Sequence, residues 1–116
     1  MAAGKLLIVD DEATLVDLLR RYLERLGYTV EVASDSTTAL RLFAQQADGF
    51  DLVITDLSLP GLNGEELLSK IRELNPKQKG LISSGYPYEP ALEGIGFIQK
   101  PFLPKMLVSA IESFLK

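Results

Sequence analysis

Residues 6–12, LLIVDDE, run four apolar residues directly into three acids, Asp10, Asp11 and Glu12. Two carboxylates about 4 Å apart repel by ~1 kcal/mol in water and ~4 kcal/mol at an effective dielectric of 20, so a packed fold avoids them unless a cation answers. The same order, an apolar run followed by a chemically competent residue, recurs along the chain. DLVIT (51–55) leads to Asp56, GLISS (80–84) ends in Ser83 and Ser84, and GFIQ (96–99) leads to Lys100. The chain has no Cys and no His, which excludes thiolate nucleophiles, disulfides, zinc–thiolate sites and imidazole acting as base or ligand. Chemistry here rests on carboxylates, hydroxyls, Lys and a hard cation such as Mg²⁺, which binds oxygen.

These residues need elements to position them. LLIV (6–9), YTVEVA (28–33), DLVIT (51–55), GLISS (80–84) and GFIQ (96–99) read as short strands, mostly without polar alternation, as in parallel sheets covered on both faces. Leu15, Leu18, Leu19, Tyr22, Leu23 and Leu26 recur at helical spacing, and Gly27 follows as a terminator, so a helix is expected over 13–26. Ala39, Leu42, Phe43 and Ala47 mark a second helix after the cap-like SDST. Leu67, Leu68, Ile71 and Leu74 mark a third that stops before Pro76. Leu103, Met106, Leu107, Ala110, Ile111 and Phe114 mark the last, with Pro104 suited to its first turn. GYPYEPALEGIG (85–96) has two prolines and three glycines and holds at most about one helical turn between Pro90 and Gly94.

Strict strand–helix alternation implies right-handed crossovers and one open, doubly wound parallel sheet in a single domain over 1–116. In such sheets ligands sit outside the carboxyl ends of the strands. Asp10, Asp11, Asp56, Ser84 and Lys100 all fall on that rim. Taken alone, adjacent acids at a strand end also suit the start of a helix, whose dipole favours them. Matching acids and a Lys at the other strand ends favour a cation site.

The chain has 116 residues, 47% of them hydrophobic and 24% charged, ordinary for a globular domain. Its net charge of −4, with no Lys/Arg cluster, argues against nucleic acid as partner. No apolar run approaches a membrane span and the first residues lack the features of a signal peptide, so a cytoplasmic protein without direct membrane contact is expected.

VDDE, DLVITDLSLPGLNGEEL, LISSGY and FIQKPF, in this order and spacing, resemble the motifs of the receiver domain of bacterial two-component response regulators. SSGY and FIQKPF resemble the kind often attached to hybrid histidine kinases. The resemblance implies a flavodoxin-like α/β fold of five parallel strands in the order 2-1-3-4-5, here with a shortened or missing fourth helix. It implies that Asp56 accepts a phosphoryl group from a phosphohistidine on a sensor histidine kinase or histidine phosphotransfer protein, with Mg²⁺ as cofactor. Asp11, Asp56 and the backbone carbonyl of Ser58 would bind the metal and Asp10 would hold a metal-bound water. Lys100 and Ser84 would meet phosphoryl oxygens, and the backbone N–H groups of Leu57 and Gly85 would line the same pocket. A cis Lys100–Pro101 bond belongs to the same pattern.

The chain departs from that pattern in three places. Phe97 stands at the switch-aromatic position without a hydroxyl, and Leu103 replaces a capping side chain before the last helix. The segment between Ser84 and Lys100 is short. That shortness keeps open a second function, a module of the same fold that binds a partner without being phosphorylated. A Mg²⁺-dependent phosphohydrolase would need a second acid two residues after Asp56, where Ser58 stands.

Overall fold

The computed structural model describes residues 3–46 and 49–115. In chain order they form β1 (Gly4–Val9), α1 (Ala13–Arg25), β2 (Tyr28–Ala33), α2 (Ser36–Gln45), β3 (Leu52–Asp56), α3 (Gly64–Leu74), β4 (Gly80–Ser84), β5 (Ile95–Gln99) and α4 (Pro104–Leu115). All five strands pair in parallel in one sheet of order β2-β1-β3-β4-β5, as the alternation and the resemblance together imply.

The sheet is covered on both faces. Leu6, Ile8, Leu52, Ile54 and Leu81 pack with α1 and α4 through Leu19, Leu23, Leu107 and Ile111. Their strand neighbours Leu7, Val9, Val53 and Ile82 pack with α2 and α3 through Phe43, Leu67, Leu68 and Ile71. Central strands buried on both sides have no polar face to alternate, whereas β2, at the edge, exposes Thr29 and Val32.

Element ends differ from the sequence reading where backbone pairing decides. β1 starts at Gly4 because Gly4 and Lys5 pair with Tyr28 and Thr29. β3 includes Asp56 because that residue pairs with Ser83. α1 ends at Arg25, and Leu26 and Gly27 donate back to the Leu23 and Glu24 carbonyls at 3.0 Å each, with Gly27 at φ 101°. α2 starts behind Asp35, whose carboxylate accepts the Thr38 N–H at 2.7 Å. Ala47, expected at the end of this helix, lies outside the described residues. α4 has Pro104 in its first turn, and the Leu103 carbonyl accepts from Met106 at 2.9 Å.

In the loop between β3 and α3, Asn63 and Gly64 are both residue types that permit positive φ, but it falls at Gly61, φ 85°. Asn63 instead closes a capping box with Glu66, at 2.8 and 2.9 Å. Gly64 is needed for space, since a Cβ there would sit 2.5 Å from the Asp56 carbonyl oxygen. α2 holds the same loop, because Ser36 Oγ accepts the Leu62 N–H at 2.9 Å and faces the Pro60 carbonyl at 3.3 Å.

Residues 85–94 contain no helix and form a strap from β4 to β5. The strap has a single main anchor. The Glu65 carboxylate, in the first turn of α3, accepts the Tyr88 hydroxyl at 2.6 Å and the Ala91 and Leu92 N–H groups at 2.9 and 3.2 Å. Arg72, in the last turn of α3, donates to the Glu93 carbonyl at 2.6 Å. Tyr88 and Leu92 thereby cover the part of the sheet face that a fourth crossover helix would occupy, and the Tyr88 ring lies 6.5 Å from that of Phe97.

Candidate functional site

Four strands, β1, β3, β4 and β5, deliver their residues to the same rim because each ends there in parallel register. Asp10 and Asp11 follow β1, and Asp10 continues the ladder by donating to the Ala33 carbonyl at 3.1 Å. Asp56 closes β3, Ser84 closes β4, and Lys100 follows β5, its N–H on the Ser84 carbonyl at 2.7 Å. The Lys100–Pro101 bond is cis.

Carboxylate oxygens of Asp10, Asp11 and Asp56 all lie within 4.8 Å of one another. Asp10 is 6% exposed and Asp56 9%, whereas Asp11 faces solvent. The cation that answers this crowding within the protein is Lys100. Its Nζ lies 2.8 Å from Asp10 Oδ2, 3.0 Å from Glu12 Oε1 and 3.5 Å from Asp56 Oδ2. Asp10 Oδ1 also accepts the Glu12 N–H at 2.9 Å. One ammonium among four carboxylates leaves a strongly negative, oxygen-only pocket. That donor set fits a hard divalent cation.

The pKa directions follow from this geometry. Burial raises the Asp56 carboxyl; Lys100 pulls it down, Asp10 raises it further, and the result stays above the ordinary carboxylate range. Burial pulls the Lys100 ammonium down, but the bonds to Asp10 and Glu12 prevail and its pKa lies above the ordinary lysine value.

The remaining expected residues surround the carboxylates. Ser84 is buried and its Oγ accepts the Tyr86 N–H at 3.2 Å. Leu57 is buried, its N–H donating to the Ser83 carbonyl at 2.8 Å while also facing the Asp56 carboxylate. Ser58 is exposed beside Asp11 and Leu57 on a cleft also lined by Asn63, Tyr86 and Tyr88. Gly85 is exposed, on a second cleft shared with Glu12, Lys100 and Phe102. Phe97 is half-buried under Tyr88.

Two participants were missed from the sequence. Glu12 was visible there only as the third acid of a run, with nothing to show that it reaches Lys100. Glu65 gave no signal, since its strap partners lie 23 to 27 positions further along the chain.

The model of the response regulator receiver domain family matches residues 6–112. The sensor kinase CckA of Brucella abortus (strain 2308) is 31% identical over 121 residues, which cover 99% of this chain and 13% of that protein. The transcriptional regulatory protein ResD of Bacillus subtilis (strain 168) is 31% identical over 117 residues, covering 97% of this chain and 48% of ResD. Among solved structures, the receiver domain of the hybrid histidine kinase CckA superposes with a TM-score of 0.88 at 32% identity, covering 97% of this chain and all of that one. The chemotaxis response regulator CheY4 of Vibrio cholerae gives 0.88 at 27% identity, covering 99% of each chain. The chain spans half or less of the length of the first curated relatives it matches. Among the described residues no helix is long and apolar enough to cross a membrane.

Proposed function

Because this chain belongs to the response regulator receiver domain family of two-component signalling, we propose that Asp56 is its phosphoacceptor and that a phosphohistidine protein is the donor. The observation that carries this reading is the meeting of three carboxylates, within 4.8 Å, with the Lys100 ammonium at the ends of three strands.

Receiver domains generally bind Mg²⁺ at an acidic pocket. Here Asp11, Asp56 and the Ser58 carbonyl would hold the ion, and Asp10 would act through a bound water. When bound, the ion offsets the negative charge that otherwise repels an incoming phosphoryl group. An Asp56 carboxylate oxygen attacks phosphorus as the P–N bond breaks, and the leaving imidazole nitrogen keeps the bonding electron pair. No general base is required, because the nucleophile is already ionised. Lys100 pairs with one phosphoryl oxygen. Ser84 turns its hydroxyl from the Tyr86 N–H to donate to another, and the Leu57 and Gly85 N–H groups face the remaining charge. Water attack on phosphorus later returns the carboxylate and inorganic phosphate, so self-phosphorylation from a phosphodonor and slow self-hydrolysis are the most that is expected of it as an enzyme.

The donor docks on α1 and the loop from Lys100 to Leu103. Leu18 on α1 and Leu103 at the end of that loop support this, being 54% and 57% exposed. A strap tethered to α3 offers little bistable packing, so relay to a further phosphotransfer partner suits this domain better than large switching. The test is incubation with Mg²⁺ and acetyl phosphate or beryllofluoride, read by mass and amide NMR. We expect a single modification at Asp56 and shifts concentrated near Asp56, Ser84–Tyr86 and Lys100. An unreactive Asp56 would support the binding-module alternative, and widespread shifts through 88–99 or induced dimerisation would refute the relay reading.

A further inference from the structure

Glu12 occupies the N-cap position of α1, where Ser, Thr, Asp or Asn would accept a helix N–H, and its longer side chain makes no such bond. Its carboxylate is diverted to Lys100, with Oε1 3.0 Å from Nζ, while its own N–H is fixed on Asp10. The ammonium therefore lies nearer to Asp10 and Glu12 than to Asp56, at 2.8 and 3.0 Å against 3.5 Å. Two of the three ammonium hydrogens are taken by Asp10 and Glu12, so if Lys100 is to move closer to a phosphoryl group on Asp56, one of these two contacts has to lengthen. The Asp10 side chain is 6% exposed and would be left in a dry site, whereas the Glu12 side chain is 61% exposed and is readily rehydrated.

We propose that Glu12 is a positioning residue that holds the Lys100 ammonium back from Asp56 in the unphosphorylated domain. Phosphorylation then moves the ammonium from Glu12 to the phosphoryl group and frees a carboxylate at the start of α1. This exchange rests on Asp56 being the phosphoacceptor. A contact made in only one of two states biases their equilibrium by its own strength, so removing Glu12 favours the phosphoryl-like state. For a solvent-exposed ion pair the effect is roughly two- to fivefold in affinity.

The experiment compares wild type, Glu12→Gln and Glu12→Asp. Beryllofluoride affinity is measured at saturating Mg²⁺, and the Lys100 ammonium ¹H–¹⁵N resonance is recorded in metal-free protein, assigned with Lys100→Arg. Glu12→Asp keeps the charge but withdraws the carboxylate by about 1.5 Å. Both variants are expected to bind beryllofluoride about two- to fivefold more tightly, and both should move the metal-free Lys100 resonance toward its beryllofluoride-bound position. Tighter binding by Glu12→Gln alone would reduce the effect to net charge and overturn the proposal, as would unchanged or weaker binding by both. A Lys100 resonance that does not move in metal-free protein overturns the tether independently. If wild type itself fails to bind beryllofluoride, the phosphoacceptor reading falls and the exchange with it, a result distinct from the others.

Discussion

Replacing Tyr88 by Phe removes the hydroxyl that donates to Glu65 at 2.6 Å and keeps the ring against Phe97. A hydrogen bond to a charged group contributes about 1.5–3 kcal/mol when well buried. Both partners are only half-buried, so water replaces part of what is lost and about 1 kcal/mol is expected. Unfolding entropy is about 2.1 cal/mol/K per residue, which for 116 residues is about 0.24 kcal/mol/K, so Tm should fall by about 4 °C. The pH dependence has two limbs. Burial raises the Glu65 carboxyl, but the bonds from Tyr88, Ala91 and Leu92 outweigh it and its pKa is lowered. Its contribution is present above the unfolded carboxyl value and disappears as pH falls through the folded one. The Tyr88 phenol is pushed up to about 12, chiefly by its bond to Glu65. That contribution is present below the unfolded value near 10 and lost as pH rises toward 12. Thermal unfolding followed by far-UV circular dichroism should thus give a constant gap between wild type and Tyr88→Phe from about pH 6 to 9, closing below about pH 4 and above about pH 11. Equal Tm values at pH 7 would refute the anchoring role. A gap that persists in acid would assign it to ring packing instead of the ionised bond.

Asp56→Asn should abolish modification by acetyl phosphate, read by mass. Because burial holds the Asp56 carboxyl above its ordinary pKa, ionisation at neutral pH destabilises the fold. The same variant should therefore melt higher than wild type without Mg²⁺, a lower value meaning that Lys100 already compensates. Asp11→Ala should weaken Mg²⁺ binding by calorimetry more than Asp10→Ala, while Asp10→Ala should lower Tm more, since Asp10 is the buried partner of Lys100; equal losses on both measures would reject this division of roles. Gly64→Ala should cost about 1–3 kcal/mol in chemical denaturation, because its methyl would press on the Asp56 carbonyl. It should also slow phosphorylation, and wild-type behaviour in both would show that the contact relaxes freely.

The chemistry-bearing strand ends were legible in the sequence because each closes a short, mainly apolar run, so that Asp10, Asp56, Ser84 and Lys100 could be put on one rim without knowing any distance. Their neighbourhood was not legible, since strand order across the sheet is a property of crossovers, and order 2-1-3-4-5 came from the family resemblance. The short segment after Ser84 declared its lack of a helix through Pro87, Pro90 and Gly94. What holds that segment was invisible, as Glu65 sits in an α3 pattern that any acid would satisfy and its partners are loop N–H groups with no side-chain signature. The Asn63–Gly64 pair shows the limit of local rules. Both residues are permissive for positive φ, but one is used for its amide oxygen and the other for its missing Cβ.

The close seat of Gly64 on the Asp56 carbonyl has a mechanical corollary. Glu65, which carries the strap, is the next residue in the chain, so the backbone of Asp56 and the mooring of the strap belong to one stiff piece. Such a piece cannot bend between its two ends, which leaves the side chains as the parts free to respond. Modification of Asp56 would then redraw the electrostatic potential over the rim while leaving its contour almost unchanged. A partner telling the two states apart would have to sense charge at short range, within a Debye length of about 8 Å, and its discrimination would fade as ionic strength rises.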